Sequence, residues 1–142
     1  MIHICVFKVQ GLTLCLPIQQ VQQVVEVSEC LTVPQAPKGI VGLVNLRGLV
    51  VTTIDPRVVL ALPTDTPPPD TQLVMLTEGN HPISLRVDEV VGVVEVKDSQ
   101  MRPTPANLPI ARRDLSRGVV VRDDELVLLL DADRIAAAVA TT

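Results

Sequence analysis

The chain has 142 residues, enough for one ordinary domain, and its 47% hydrophobic and 20% charged content excludes a disordered tail. The net charge is −4 with both signs mixed along the chain, and there is one Phe with no Tyr or Trp. A nucleic-acid surface needs a basic stripe or stacking aromatics, so that class is excluded. No apolar run approaches the roughly 20 residues that span a bilayer. Met1-Ile2-His3-Ile4 also lacks the basic-then-apolar order of a signal peptide, so a cytoplasmic protein is expected.

Valine runs such as Val24-Val25, Val90-Val91 and Val119-Val120-Val121, with twelve prolines, favour short strands over long helices. In chain order the first strand is expected near Ile2–Val9, and Gln10-Gly11 turns it into a second near Leu12–Leu16. Pro17–Gln23 suits a short helical segment with Pro in its first turn. Strands follow near Val24–Val27, Val41–Leu46 and Leu49–Ile54, the last two joined by Arg47-Gly48. The polar segment Thr64-Asp65-Thr66-Pro67-Pro68-Pro69-Asp70 reads as an extended, exposed connector. Beyond it, strands are expected near Leu73–Thr77, Ile83–Val87, Val90–Val96, Gly118–Val121 and Glu125–Leu130. Gly79-Asn80 and Asp123-Asp124 turn two of the hairpins. Asp131 is placed to cap a final helix, Ala132–Ala140.

These elements repeat. Val24-Val25-Glu26-Val27 recurs as Val93-Val94-Glu95-Val96, an offset of 69 that also aligns Leu14, Leu16 and Ile18 with Ile83, Leu85 and Val87. Gly42-Leu43-Val44 then meets Gly118-Val119-Val120 at an offset of 76, carrying Ile54-Asp55 onto Leu130-Asp131. The change of offset places a seven-residue insertion around 106–116. The reading is one all-β domain over 1–142, with lobes at about 1–62 and 72–140 and a connector at 63–71. Each half is marginal for a core of its own, so the lobes should share buried surface. Five short strands per half, closed to hide their edges, suggest two small barrels.

Chemistry-bearing residues are sparse. Cys5, Cys15 and Cys30 sit among apolar neighbours with no C-x-x-C pair, and read as core fillers. His3 and His81 are too isolated to hold a metal, and no nucleophile elbow or phosphate loop occurs. Asp88 and Glu89 are adjacent, so on a strand they face opposite sides and do not pair for acid–base work. Neither a catalytic residue nor a cofactor or metal is expected. Gly42, Gly48, Asp55 and Asp131 read as turn and cap residues. Arg47 stands apart: turn geometry accounts for Gly48 but not for an Arg before it. Val21 and Val24 read as core residues, or as a docking patch if one face is exposed.

Leu14-Cys15-Leu16-Pro17-Ile18-Gln19-Gln20-Val21, Pro34 to Pro37, Gly42-Leu43-Val44-Asn45-Leu46-Arg47-Gly48, Ile54-Asp55-Pro56-Arg57 and Val87-Asp88-Glu89-Val90 together resemble the CheW-like domain family. So does Gly118-Val119 through Leu128-Leu129-Leu130-Asp131. The resemblance implies two five-stranded SH3-like barrels and no enzymatic activity. It also implies an adaptor joining chemoreceptor cytoplasmic tips to a histidine kinase regulatory domain. Receptor contact would then fall on Val21, Gln23, Val24 and Arg47, beside the cleft between barrels. Four features depart from the family pattern: Gln23 in place of Glu, Thr52-Thr53 in place of a proline-containing step, Pro56 in place of Leu, and Arg112-Arg113-Asp114 where an aromatic often precedes the Gly. The alternative is a small-ligand sensor holding a metabolite in the inter-barrel cleft, against which the chain offers few convergent polar groups.

Overall fold

A computed structural model describes residues 1–27, 29–68, 70–76 and 82–140. The expected Gly79-Asn80 turn and His81 lie outside the described residues. The strands are β1 (Ile2–Val9), β2 (Leu12–Pro17), β3 (Val21–Glu26), β4 (Cys30–Leu31), β5 (Ile40–Leu46), β6 (Leu49–Ile54), β7 (Gln72–Leu76), β8 (Ile83–Val87), β9 (Glu89–Val96), β10 (Met101–Arg102), β11 (Ser116–Arg122) and β12 (Glu125–Leu130). The helices are α1 (Pro56–Val59), α2 (Ile110–Leu115) and α3 (Ala132–Ala140). None is long and apolar enough to cross a membrane.

The strands form two six-stranded sheets, in the orders β10-β11-β12-β2-β1-β9 and β3-β7-β8-β6-β5-β4. The all-β, two-lobed expectation holds, but the boundary between lobes does not. Lobes at 1–62 and 72–140 would keep β1–β6 together. Instead the hairpin β1–β2 joins β9–β12, and the hairpin β7–β8 joins β3–β6. The chain changes sheets where Pro17, which has no N–H for a ladder, leads into a 3-10 turn at Ile18–Gln20. That turn is shorter than the helical segment expected over Pro17–Gln23, because Val21, Val24 and Val25 favour a strand.

The internal repeat survives this exchange residue by residue. Cys5 opposes Leu16 as Val74 opposes Leu85, and Ile4 opposes Val94 as Leu73 opposes Val25. Leu128 and Leu129 run parallel to Leu14 and Cys15, as Thr52 and Thr53 do to Ile83 and Ser84. Gly42 and Gly118 each follow a register shift at matching positions. A Cβ on Gly42 would lie 2.2 Å from the Leu31 carbonyl oxygen, and one on Gly118 would lie 2.7 Å from that of Arg102. Both glycines admit the two-residue edge strands β4 and β10, which the sequence patterning does not reveal.

Alternation sorts the side chains between two cores. Ile4, Val6, Cys15, Val96, Val120, Val127 and Leu129 fill the interior of the first sheet. Phe7, Leu14, Leu16, Leu128 and Leu130 point the other way and meet Ile54, Val74, Leu85 and Val87 of the second sheet. This shared core is covered by Ile135 and Val139 of α3, one helical turn apart. Burying one such side chain stabilises by about 1.5–3 kcal/mol, so the two lobes are tied together by their largest apolar groups.

Caps close the helices. Asp55 Oδ1 accepts from Arg57 N at the start of α1, and Asp131 Oδ1 accepts from Asp133 N at the start of α3. Gln20 Oε1 accepts from Ala132 N at 2.8 Å, a link across 112 residues that pins α3 to the turn where the chain changes sheets. At the end of α1, Leu62 N donates to Arg57 O and Ala61 N to Val58 O, with Ala61 at φ 57°. This is a Schellman ending with Ala where Gly is preferred. Ala61→Gly is therefore expected to stabilise the protein by about 1 kcal/mol, read from the shift in urea midpoint. A loss of stability would show that the Ala61 methyl contributes more than its backbone strain costs.

Candidate functional site

β3 is an edge strand, so one of its sides has no ladder partner among the described residues. Val21 opposes Leu76 and packs against the shared core. A register shift follows between Val21 and Gln23, after which Gln23 and Val24 lie exposed, with Val24 37% accessible. Gln23 Nε2 donates to Met75 Sδ at 3.7 Å, which holds the amide over the strand behind it. Val21 is thus partly buried against the core, while Gln23 and Val24, consecutive on the strand and facing opposite sides of the sheet, are both exposed at its edge.

Arg47 sits at the tip of the β5–β6 hairpin. Leu46 and Leu49 are the last opposed pair, so Arg47 and Gly48 form a two-residue turn, with φ of 54° and 85°. The Asn45 side chain braces it by accepting from Gly48 N at 2.9 Å. A non-glycine residue in the left-handed region costs about 1–2 kcal/mol, and Asn or Gly would hold this turn better. The Arg47 side chain is exposed, as are Leu49 and Val50 beside it, at 45% and 55%. Sequence reasoning does not single out these two apolar neighbours; their signal is a pair of aliphatics directly after the turn. In sheet order β7 and β8 stand between β3 and β6. The candidate residues therefore form one strand and one hairpin tip rather than a single continuous ladder.

The equivalent tip of the first sheet is Asp123-Asp124, with both φ values positive and with Glu125 and exposed Leu126 following. The repeat has kept the turn and reversed its charge. The two lobes cannot present the same surface to a partner.

Asp55 has a second role besides capping. It is buried with Arg57, which is 2% accessible. Arg57 Nε donates to Asp55 Oδ1 at 3.0 Å and Nη2 to Oδ2 at 2.9 Å, a forked pair. Arg57 Nη1 reaches Thr66 Oγ1 at 3.0 Å and Gln10 Oε1 at 3.4 Å. The hydrogen bond to Asp55 outweighs desolvation and raises the Arg57 pKa, keeping the guanidinium charged. One buried cation thus joins α1, the β1–β2 turn and the connector.

The remaining candidates are structural. Asp88 Oδ2 accepts from Gln10 N at 2.6 Å and so ties two turns, while Glu89 is exposed. Among the described residues no group of three or more His, Cys, Asp or Glu side chains gathers as a metal site. An apolar cleft of about 230 Å³ lies over the first sheet, with Arg112 and Glu125 among its lining residues. Arg112 Nε already donates to the Leu60 carbonyl.

Cys5 and Cys15 are buried and Cys30 is partly exposed, all as free thiols. Burial, with a smaller contribution from Cys5, pushes the Cys15 thiol up from 9.0 to about 12. The unfolded chain then loses this proton before the folded one, so stability should fall as pH rises from about 9 towards 12. At pH 8 a thiol reagent should modify Cys30 in the native protein, and Cys5 and Cys15 only after denaturation. Equal rates at all three would contradict the burial of Cys5 and Cys15.

Residues 3–140 match the family model of the CheW-like domain. The chain is 25% identical over 129 residues to the chemotaxis protein CheW of Rhizobium meliloti strain 1021, covering 91% of this chain and 83% of that protein. It is equally similar, over the same shares, to the chemotaxis protein CheW of Thermotoga maritima. Its fold matches the crystal structure of scaffolding protein TtCheW from Thermoanaerobacter tengcongensis with a TM-score of 0.80 and 22% identity, over 92% of this chain and 84% of that one. The two sheets, their shared core and this match over almost the whole length have one reading: the chain belongs to the CheW-like domain family.

Proposed function

We propose that the chain is a non-enzymatic, cytoplasmic adaptor that couples chemoreceptor tips to the regulatory domain of a histidine kinase. The observation that carries this reading is Arg47, an exposed cation held at a hairpin tip in a backbone conformation that disfavours it, in a chain matched to the CheW-like family over residues 3–140. Its planar fork can bind carboxylates or backbone carbonyls bidentately while its stem lies on apolar surface such as Leu49. Gln23 and Val24 on the β3 edge add a polar and an apolar contact. A receptor tip made of helices would lay its apolar stripe against this surface.

Kinase contact is assigned to a different face, through strand ends and hairpin loops of barrel against barrel. Two separate faces let one adaptor hold both partners at once. Sedimentation of the purified protein with a receptor-tip fragment, with a kinase regulatory domain, and with both together tests this. Two binary complexes and one ternary complex are expected. Competition between the partners for one site would overturn the adaptor reading.

A further inference from the structure

The crossing of strands between sheets makes the two halves of the chain dependent on each other. Residues 1–62 supply a hairpin to the first sheet and four strands to the second, and residues 72–140 do the reverse. Among the described residues four ladders join the halves: β1 with β9, β2 with β12, β3 with β7, and β6 with β8. The covalent link between them is only 63–71. Pro63, Thr64, Asp65, Thr66 and Pro67 in it are exposed. It is anchored by hydrogen bonds from Gln10 Nε2 to Pro63 O, from Arg57 Nη1 to Thr66 Oγ1, and from Val27 N to Thr71 O.

We propose that two copies of the chain exchange halves through this link. The result is a dimer in which each two-sheet unit is built from residues 1–62 of one copy and 72–140 of the other. Every ladder and both cores are retained, and only the path of the link changes. Concentration therefore sets the balance between the closed monomer and the exchanged dimer. The partner surface is specific for the opposite half. In the second sheet, Thr53 sits beside Ser84, and Ser84 Oγ donates to Thr53 Oγ1 at 3.3 Å. At the equivalent place in the first sheet Leu129 sits beside Cys15. Pairing a first half with another first half would set Thr53 beside Cys15 and strip the buried Thr53 hydroxyl of Ser84. A first half thus selects a second half, whichever copy supplies it. The exchanged dimer carries each surface face twice on one particle, which strengthens simultaneous engagement of repeated partners.

A cross-half disulfide reports the exchange directly. His3 and Glu95 oppose each other on β1 and β9 and are exposed. The variant His3→Cys/Glu95→Cys is refolded under reducing conditions at high concentration and at about a hundredfold lower concentration, then oxidised. The expected result is a disulfide-linked dimer at high concentration and an internally bridged monomer at low concentration, seen on non-reducing denaturing electrophoresis. Asn45→Cys/Val50→Cys, a pair within one half, should run as monomer throughout. Monomer at every concentration in the first variant would overturn the proposal, as would an equal covalent dimer in the second. Wild-type copies with light and heavy isotopes, refolded together at high concentration, should also give mixed dimers by native mass spectrometry, and their absence would overturn the proposal without reliance on any variant.

Discussion

Arg57→Ala is expected to cost about 3–5 kcal/mol of unfolding free energy, because it breaks a buried ion pair and leaves one charge behind. That charge is the Asp55 carboxylate, which is 5% accessible and would remain in the protein without its forked partner. Thr66 and Gln10 would lose the same guanidinium, so the connector and the β1–β2 turn should loosen together. Removing both charges is predicted to be much milder. Asp55→Ser keeps an N-cap on α1 and Arg57→Met fills the guanidinium's volume with an apolar side chain, so most of the loss should be recovered. Urea unfolding of the wild type, the single variant and the double variant measures this. A single-variant loss below about 1 kcal/mol would mean that water reaches the Asp55 carboxylate once Arg57 is gone.

Arg47→Asn should separate binding from folding more cleanly than replacement by Ala. Asn suits the left-handed backbone at φ 54°, so the melting temperature should hold or rise slightly. If Arg47 is a central contact, affinity for a receptor-tip fragment should fall about 30-fold, equivalent to about 2 kcal/mol. Affinity for the kinase regulatory domain should change little, because that contact is assigned elsewhere. Calorimetric titration of both partners checks the pair of statements. An unchanged receptor affinity would reduce Arg47 to a turn residue, and an equal loss for both partners would merge the two surfaces into one.

Much of the strand pattern can be read from residue order, because alternating aliphatics punctuated by Gln10-Gly11, Arg47-Gly48 and Asp123-Asp124 specify hairpins locally. The final helix and its Asp131 cap are legible for the same reason. The partition into sheets is not. β2 and β8 are buried on both faces, β2 with Leu14, Cys15 and Leu16 and β8 with Ser84 and Arg86 as well as Leu85 and Val87, and burial on both faces is not legible from the alternation that would assign each a neighbour. Two-residue edge strands such as Met101–Arg102 are too short to carry a period, and the inserted segment gives no sign of α2. At the site, the position of Arg47 follows from its turn, whereas the partial burial of Val21 depends on a long-range neighbour, Leu76. Arg57 escapes notice as a buried group because an Arg after Pro56 reads as a surface charge until Asp55, Thr66 and Gln10 converge on it.

Coupling of receptor to kinase is tested by reconstitution. A histidine kinase bearing its regulatory domain is combined with receptor-bearing membranes, with and without this protein, and the kinase phosphorylation rate is followed as receptor ligand is added. The rate should respond to receptor ligand only when the protein is present, and Arg47→Asn should weaken the response. A response of equal size in its absence, or none in its presence despite binding of both partners, would contradict it.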